Sequence, residues 1–403
     1  MKLIFSLLML LTSMAGHSKV ECPTAHSIND VLECLKNKHL LVQLKDLEVN
    51  ATGRLGLALS QRPNPVVNVS TVHTRGAKQT EIVISQELDL AGKRKSLRKK
   101  GELIHETKKN ELKLSSEQVI EEVLLAIQRL FYLDETLKVN REVSRSFLNV
   151  MAALKKRPAL TPEQEASLLN FRLQQAEVNN IISLLEDEEE EIFLFFFLNG
   201  GYRKEEIRKV MKGQTHPLEL KREITSNLSL NLQRIGLETK LAKEELNFQK
   251  SLPWDGVSIG PMFMNDNMEN RSEKLYGVSL SFPIPVWQTN KAGKAIASVS
   301  LANTKTQFDL LKRREDLQKN SLNLRIDALK STLMKLPSND ELFKTHKRIE
   351  KLYSQGLITP TSFLESHRIW RDVTSSKLQL KEKILRQSIE YHRLSGVLSE
   401  VKL

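Results

Sequence analysis

Two cysteines, Cys22 and Cys34, are the residues whose chemistry follows most directly from the sequence. Two thiols cannot make a four-cysteine zinc site, and no Cys-x-x-Cys motif occurs. In an oxidising compartment the pair could close a small disulfide loop. The alternative is a lipid on Cys22, although residues 19–21 do not resemble the segment that precedes a lipidated cysteine.

The sequence contains none of the motifs of the common catalytic sites. It has no Gly-x-Gly-x-x-Gly, Walker loop, His-Glu-x-x-His or Gly-x-Ser-x-Gly, so nucleotide, zinc-protease and serine-hydrolase chemistry lack support. The nine histidines are scattered, and none lies four residues from another. We therefore expect no enzyme activity, no cofactor and no metal site, and an exported enzyme is the third of three interpretations.

The composition excludes several classes of protein. With 40% apolar and 27% charged residues, the chain lacks the repeated apolar runs of about 20 residues that a helical inner-membrane protein needs. At the N-terminus a lysine, an apolar run over residues 3–11 and several small residues predict a secretory signal peptide at residues 1–18. Because the mature chain is then exported, its net charge of +12 does not indicate a nucleic-acid partner.

The hydrophobic pattern predicts the same order of elements twice. Residues 19–198 are the first repeat and residues 217–403 the second, with an irregular equatorial segment at 199–216. Similar segments recur after 196 to 201 residues, which indicates an internal duplication. The predicted elements are an N-terminal helix, a β-hairpin (66–90) and a helical hairpin (91–198), then a helix (217–250), a β-hairpin (257–286) and a helical hairpin (290–398), interrupted at 337–339.

The predicted strands have the length and alternation of membrane β-strands. Each has about nine to twelve residues, enough to cross an outer membrane when tilted, and apolar residues alternate with small or polar ones. Trp254 and Trp287 flank the second hairpin, so both indoles would lie at one membrane interface. The alternative is a half-buried sheet in a soluble protein. In a membrane, four strands cannot close a barrel, so two or three copies would have to share one.

The helix predicted after the first hairpin is too long for an ordinary globular core. From residue 93 to about residue 156 it would approach 100 Å, at about 1.5 Å per residue. Such a length is typical of a coiled-coil arm. Several arms around one axis would form a tube, so the architecture indicates a conduit.

Motifs at the ends of these elements resemble those of the TolC-like outer-membrane efflux protein family. Residues 86–94, with Arg98, resemble the strand-to-helix junction of its CzcC-like heavy-metal branch, and residues 280–286 resemble the second junction. Residues 336–337, 353–358 and 363–365 resemble the last helical hairpin. The resemblance implies a mainly α fold with β. In that fold, long helical hairpins form a periplasmic helical barrel, and two β-hairpins per chain give four strands to a shared transmembrane β-barrel.

The resemblance also implies a function and a set of partners. The chain would be the outer-membrane channel of a tripartite efflux system that exports small solutes, heavy-metal cations among them. It would be a homotrimer in outer-membrane lipid with a large periplasmic portion, docked through a periplasmic adaptor to an inner-membrane pump of the RND type. The alternative is a periplasmic adaptor or coiled-coil scaffold protein of such an assembly, which also uses long helical hairpins.

The same resemblance assigns roles to residues near the turns of the helical hairpins. Glu365, with Ser362 where a second acid is expected, would line a pore constriction, where carboxylates of three copies would favour cations and raise one another's pKa. The alternative for Glu365 is an ordinary exposed helix residue. Pro158 stands where the family usually has glycine. The adaptor-facing tips would consist of Arg157, Pro158, Leu160, Thr161, Tyr353, Gly356, Leu357 and Thr359.

Overall fold

Helices dominate the part of the chain that the computed structural model describes, which is residues 22–74, 77–212, 220, 227–268 and 271–400. The predicted signal peptide lies outside these residues. The first half contains α1 (Ile28–Lys38), α2 (Leu40–Thr52), α3 (Leu55–Leu59), α4 (Lys93–Lys155), α5 (Pro162–Gly200) and α6 (Lys204–Lys212). The second half contains α7 (Leu230–Ser251), α8 (Lys291–Met334), α9 (Asn339–Ser354) and α10 (Pro360–Leu394), with 3-10 turns at Leu252–Trp254 and Leu398–Glu400.

The strands form a single antiparallel sheet in the described residues. Its strands are β1 (Val66–Thr74), β2 (Ala77–Glu87), β3 (Ser258–Met268) and β4 (Arg271–Ser281), and they lie in the order β1-β2-β3-β4. The central pair joins the two repeats, because Val83 of β2 lies opposite Met262 of β3. The two predicted hairpins therefore combine into one sheet, with β1 and β4 at its edges.

The chain divides into two compact units. One comprises Met1–Gln43, Ser115–Ser229 and Leu317–Leu403, and the other comprises Leu44–Leu114 and Leu230–Asp316. Each unit draws segments from both predicted repeats, and the sheet belongs wholly to the second unit. The two halves of the duplication therefore combine in space instead of forming one unit each.

An aromatic cluster forms part of the core of the first unit. Phe147 of α4, Phe171 of α5 and Phe363 of α10 are almost completely buried, with ring centroids 5.7 to 6.3 Å apart. Edge-to-face and tilted rings at such separations stabilise a core beyond the burial of their area. The same cluster includes Val143, Met151, Leu154, Val178 and Trp370. The residues that α4 contributes recur every three or four positions, which is the helical stripe that the sequence predicts.

Local hydrogen bonds define where several helices begin. In capping boxes the side chain of the residue before the helix accepts a backbone N–H, and a later side chain returns the bond. Ser27 and Asp30 do this for α1, Thr161 and Gln164 for α5, and Ser338 with its partner Glu341 for α9. The last of these boxes restarts the helix after the interruption predicted near residues 337–339.

Both hairpins are shorter than predicted. β2 ends at Glu87 instead of residue 90, and β4 ends at Ser281 instead of residue 286. Pro283 and Pro285 explain the second difference, because proline has no N–H to give to a strand ladder. The alternation of apolar residues continues beyond the end of the strand, so a prediction based on that alternation makes the strand too long.

The predicted equatorial segment is not wholly irregular, since it contains α6. Ile207 and Val210 are its buried residues, and the Arg203 N–H donates to the Glu206 carboxylate at its start, at 2.9 Å. The prediction was wrong because Gly200-Gly201 was interpreted as the start of an irregular stretch, although Ile207, Val210 and Met211 follow the i, i+3, i+4 spacing of a short amphipathic helix.

Two further helix predictions need adjustment. The helix predicted for residues 217–250 begins at Leu230, since residues 227–229 are not helical; residues 213–219 and 221–226 lie outside the described part of the chain. The N-terminal helix is divided at His39, whose backbone is extended. Among the described helices, none combines the length and the apolar character that crossing a membrane would require.

Candidate functional site

One face of the sheet carries a continuous stripe of apolar side chains. Directly paired residues of antiparallel strands share a face, and the register pairs Val67 with Ile84, Ile82 with Phe263, and Ile259 with Leu280. The apolar members of that face are Val67, Val69, Ile82, Ile84, Ile259, Pro261, Phe263, Tyr276, Val278 and Leu280. The stripe therefore crosses all four strands.

The stripe is exposed within a single chain, most strongly at the β4 edge. Tyr276 is 79% and Val278 70% exposed, and the rings of Tyr276 and Phe263 pack across strands with centroids 5.3 Å apart. Contiguous exposed apolar surface marks contact with a partner or with lipid. The half-buried sheet of a soluble protein would cover such a face with a helix.

The opposite face of the sheet is built largely from small and polar residues. On β4 it presents Gly277, Ser279 and Ser281, and on β3 it presents Ser258 and Gly260. Gly260 cannot be enlarged, because a Cβ there would lie 1.7 Å from the Ile84 carbonyl oxygen. Met262, Met264 and Leu275 also lie on this face, so the contrast between the two faces is clearest near the paired ends of β3 and β4 at Ser258 and Ser281.

The two predicted interface tryptophans lie beyond the same end of the second hairpin. Trp254 ends the 3-10 turn before β3, and Trp287 follows β4. Ser258, at the start of β3, pairs with Ser281, at the end of β4, so both indoles are near that end. Trp287 is 93% exposed and Trp254 half exposed.

The residues predicted to form the helical tips lie at the turns between α4 and α5 and between α9 and α10. Arg157, Pro158, Thr161, Gly356, Leu357 and Thr359 are exposed, whereas Leu160 and Tyr353 are half-buried. Leu357, at 67% exposure, is the large apolar side chain that the second turn presents to solvent. Gly356 has a positive φ of 73°, a conformation that favours glycine at the end of a helix.

Tyr353 belongs to the aromatic core and not to the exposed tip. Its ring centroid lies 4.4 Å from that of Phe363 and 6.2 Å from that of Phe171. Burial raises the pKa of its hydroxyl above the ordinary value. Within this chain Tyr353 therefore has a structural role as part of the aromatic core.

Glu365 is an exposed helix residue with a partner on its own helix. Arg368 donates two hydrogen bonds to its carboxylate, at 2.9 and 2.7 Å, and this pairing lowers the pKa of Glu365. Within one chain the shift is thus opposite to the increase expected from a ring of carboxylates. The Ser362 N–H donates to Thr359 Oγ1 at the start of α10.

Cys22 and Cys34 are joined by a disulfide, with their Cα atoms 6.0 Å apart. The bond ties the segment that precedes α1 to the helix itself. The Cys22 N–H also donates to the Gly200 carbonyl oxygen, at 3.0 Å. A bonded Cys22 has no thiol free for lipid.

Charged runs that stand out in the sequence are largely paired. In the acidic run 186–191, Glu188 binds Arg129 and Glu189 binds Arg208. In the basic run 93–100, Lys93 contacts Asp255 and Lys99 contacts Glu244, at 2.7 and 3.4 Å. Many of these charges therefore have partners within the chain, so their clustering does not by itself indicate a ligand site.

A cluster of ligating side chains was missed by the sequence prediction. His346 and Glu350 of α9 lie beside His367 of α10. The histidines are 21 residues apart in the chain, so a search for histidine pairs one helical turn apart does not find them. The signal that was present is the four-residue spacing of His346 and Glu350, which places both on one face of a predicted helix.

The fold of the chain matches solved outer-membrane channels. The CusC structure, described in terms of transmembrane channel formation, is 13% identical, with a TM-score of 0.64 over 93% of both chains. Vibrio cholerae VceC, an outer membrane protein, is 10% identical, with a TM-score of 0.69 over 92% of this chain and 96% of that one. The Campylobacter jejuni CmeC outer membrane channel is 9% identical, with a TM-score of 0.66 over 92% and 85%. This chain has the TolC-like fold.

The comparisons with known proteins find this fold through structure and not through overall sequence similarity. No protein-family model matches the chain, and no curated protein matches it. Within this fold, the apolar stripe belongs to the second compact unit and the two helical turns belong to the first.

Proposed function

We propose that the chain is the outer-membrane channel subunit of a tripartite efflux assembly. The exposed apolar stripe across all four strands is the observation that carries this proposal. An apolar face opposite a face on which small and polar residues predominate, as at Val278 and Ser279, is typical of strands with lipid outside and a water-filled lumen inside. A fold shared with outer-membrane channels supports the same conclusion.

The open edges of the sheet supply the reason for oligomerisation. Edge N–H and C=O groups without partners are not tolerated in lipid, so β1 and β4 must pair with other strands. Because β4 runs antiparallel to β1, the β4 edge of one copy can pair with the β1 edge of the next. We propose three copies, as the family resemblance implies, whose twelve strands close one barrel.

Engineered cysteines test the shared barrel. Within one chain β2 and β3 lie between β1 and β4. The three spacings of about 4.8 Å between neighbouring strands therefore place β1 roughly 14 Å from β4. In the Val69→Cys/Val278→Cys variant, oxidation should therefore link different copies and give covalent trimers on a denaturing gel. The β4 cysteine is also placed at position 276 or 280, so that different registers between β4 of one copy and β1 of the next are tested.

The single variants Val69→Cys and Val278→Cys are the matched controls and should give no trimer. Purification of the exported chain as a water-soluble single copy, without detergent, would overturn the barrel.

The turns of the helical hairpins are proposed to dock a periplasmic adaptor that connects the channel to an RND-type pump. Exposed Leu357 offers an apolar contact at the second turn. Leu357→Asp should reduce efflux in cells without changing the amount of trimer. Gln355→Asp, which adds the same charge to the same turn, should leave efflux unchanged, and equal loss in both variants would contradict docking through Leu357.

Glu365 and Ser362 are proposed to line the constriction near this turn. Three Glu365 carboxylates around one pore would favour cations, although Arg368 on the same helix offsets part of that charge. In planar bilayers, Glu365→Gln should lower the preference for cations over anions. Glu382→Gln, a carboxylate farther along α10, is the control, and an unchanged preference in Glu365→Gln would remove Glu365 from the pore.

Divalent heavy-metal cations are the proposed cargo. The support is the resemblance of residues 86–94 to the strand-to-helix junction of the heavy-metal branch. A strain without this protein should lose tolerance to zinc, cobalt or copper but keep its tolerance to a cationic dye. Equal loss for metals and dye would favour a broad exporter, and unchanged tolerance to all of them would count against efflux.

A further inference from the structure

Two buried histidines face each other where α9 packs on α10. His346 is 3% exposed and His367 1% exposed, and their rings are perpendicular, with centroids 4.9 Å apart. Glu350 follows His346 by one helical turn, and its Oε1 lies 3.3 Å from His346 Nε2. One ligand atom from each of the three residues lies within 4.8 Å of the others, an arrangement found once in the described part of the chain.

Hydrogen bonding determines which nitrogen of His367 is available. Its Nδ1 lies 2.8 Å from the Phe363 carbonyl oxygen, a bond that requires the proton on Nδ1 and leaves a lone pair on Nε2. The Nε2 atoms of both His346 and His367 are buried without a hydrogen-bond partner. Buried polar atoms normally have partners, so two such nitrogens beside a carboxylate indicate a ligand.

Burial lowers the pKa of His346 to about 4 and also lowers the pKa of His367. Burial therefore favours neutral imidazole, which is the form that ligates metal ions.

We propose that His346, Glu350 and His367 bind one divalent transition-metal ion of the zinc class. Two imidazole nitrogens and one carboxylate oxygen are an established donor set for Zn²⁺, with water in the fourth position. The bond from His367 Nδ1 to a backbone carbonyl is the outer contact that metal-ligating histidines usually make. The ion would join α9 to α10 just beyond the second helical turn.

Neighbouring groups hold the carboxylate in place. The Ser146 hydroxyl donates to Glu350 Oε1, and Lys347 Nζ lies 2.9 Å from Glu350 Oε2. Lys347 Nζ also lies 2.6 Å from Glu142 Oε1, which is 3.9 Å from His346 Nε2.

The charges around the site are nearly balanced. Arg371 is the cation near His367, and the carboxylate of Glu177 lies 3.7 Å from it. The carboxylates of Glu142 and Glu350 balance Lys347, so a divalent ion does not enter a positively charged site.

The distances require a small rearrangement. Metal–ligand bonds of about 2.0 to 2.2 Å bring ligand atoms to about 3.3 Å from one another. His346 and Glu350 already meet this spacing, and the widest separation, up to 4.8 Å, must shorten by roughly 1.5 Å. A groove of about 490 Å³ is lined in part by Glu142, Phe343 and Trp370, which are also neighbours of His346, whereas the three ligating residues do not line it.

Metal content of the purified full chain tests the site directly. After treatment with a chelator, the detergent-solubilised protein is dialysed against Zn²⁺ and its metal is counted by mass spectrometry. We expect one zinc per chain and, with Co²⁺, the visible absorption of a four-coordinate site. Zinc at background level in the folded wild-type protein would overturn the proposal, whether or not the chain forms a channel.

Substitutions locate the ion. His346→Gln and Glu350→Gln should each weaken Zn²⁺ binding at least about tenfold. His392→Gln is the matched control, because His392 is equally buried on α10 and its Nδ1 makes the same bond to a carbonyl oxygen four residues earlier, at 2.6 Å. Equal affinity in all three variants and the wild type would place the ion elsewhere and overturn the assignment.

Tryptophan fluorescence gives a second readout in which all three ligating residues are kept. Trp370 stacks on His346, with ring centroids 4.1 Å apart, and it is the tryptophan that remains in a Trp254→Phe/Trp287→Phe chain. Ni²⁺ should quench this emission at a stoichiometry of one, and chelator should restore it. Emission that does not change while the metal binds would separate the ion from His346 and contradict the proposal.

Discussion

Thr161 and Thr359 cap equivalent helices in the two halves of the chain. Thr161 Oγ1 accepts the Gln164 N–H at 3.3 Å, and Thr359 Oγ1 accepts the Ser362 N–H at 3.1 Å. In both places a proline follows at the first helical position. The duplication therefore preserves the local chemistry that restarts a helix after each turn.

Removal of either cap should destabilise the protein by about 1 kcal/mol. Thr161→Ala and Thr359→Ala each leave an N–H of the first turn without its acceptor. Urea unfolding of the detergent-solubilised protein measures the change. Thr332→Ala is the control, because its hydroxyl bonds to a carbonyl oxygen within α8 and caps no helix. A loss in Thr332→Ala as large as in the other two would show that capping is not the cause.

The aromatic cluster should dominate the stability of the first unit. Phe147→Ala removes a buried ring and leaves a cavity, for which about 3 to 5 kcal/mol of unfolding free energy is expected to be lost. Leu148→Ala, its exposed neighbour on α4, should change the value by less than about 1 kcal/mol. Comparable losses in the two variants, measured by urea unfolding, would contradict the assignment of the core.

Glu117 should make stability depend on pH. This residue of α4 is 2% exposed, neither carboxylate oxygen has a hydrogen-bond partner, and burial raises its pKa from 4.5 to about 7. A carboxyl whose pKa is higher in the folded state stays protonated there while the unfolded chain ionises. Its contribution therefore destabilises the fold as pH rises from about 4.5 to 7, with the full penalty above that range.

Replacement of this carboxyl by an amide should remove the penalty. Glu117→Gln should stabilise the protein at pH 8 by about 3 kcal/mol relative to its effect at pH 4, as calculated from the change in pKa. Glu122→Gln, an exposed residue on the same helix, should show no such difference. Equal effects of Glu117→Gln at both pH values, measured by urea unfolding, would show that the pKa of Glu117 is not raised in the folded state.

Gly101 is required where α4 crosses α3. A Cβ at this position would lie 2.4 Å from the Gly56 Cα, closer than side chains approach backbone atoms. Gly101→Ala should therefore cost about 1 to 3 kcal/mol. Gly236→Ala is the matched control, since its Cβ would meet its nearest neighbour, Phe308, at an ordinary 3.6 Å and alanine favours the helix by about 1 kcal/mol. Destabilisation of the Gly236 variant and not of the Gly101 variant would contradict the crossing.

The elements whose side-chain pattern repeats over a few residues could be predicted from the sequence alone. The alternation around Ile82 and Ile84 and the apolar stripe of α4 are local periodicities, which backbone geometry converts into strand and helix. Helix starts such as Thr161 were readable for the same reason, because a cap involves residues only three positions apart. The end of β4 was misjudged because the side-chain alternation outlasts the backbone pairing, which stops before Pro283.

Pairing between distant segments required the folded chain. Nothing in the sequence near β2 specifies that β3 lies beside it, since that contact joins residues about 180 positions apart, such as Val83 and Met262. His346 and His367 come together because α9 and α10 pack face to face, and the burial that leaves their nitrogens without partners arises from that packing. Short-range order therefore follows from the chemistry of neighbouring residues, whereas the sheet surface and the histidine cluster follow from which distant surfaces exclude water together.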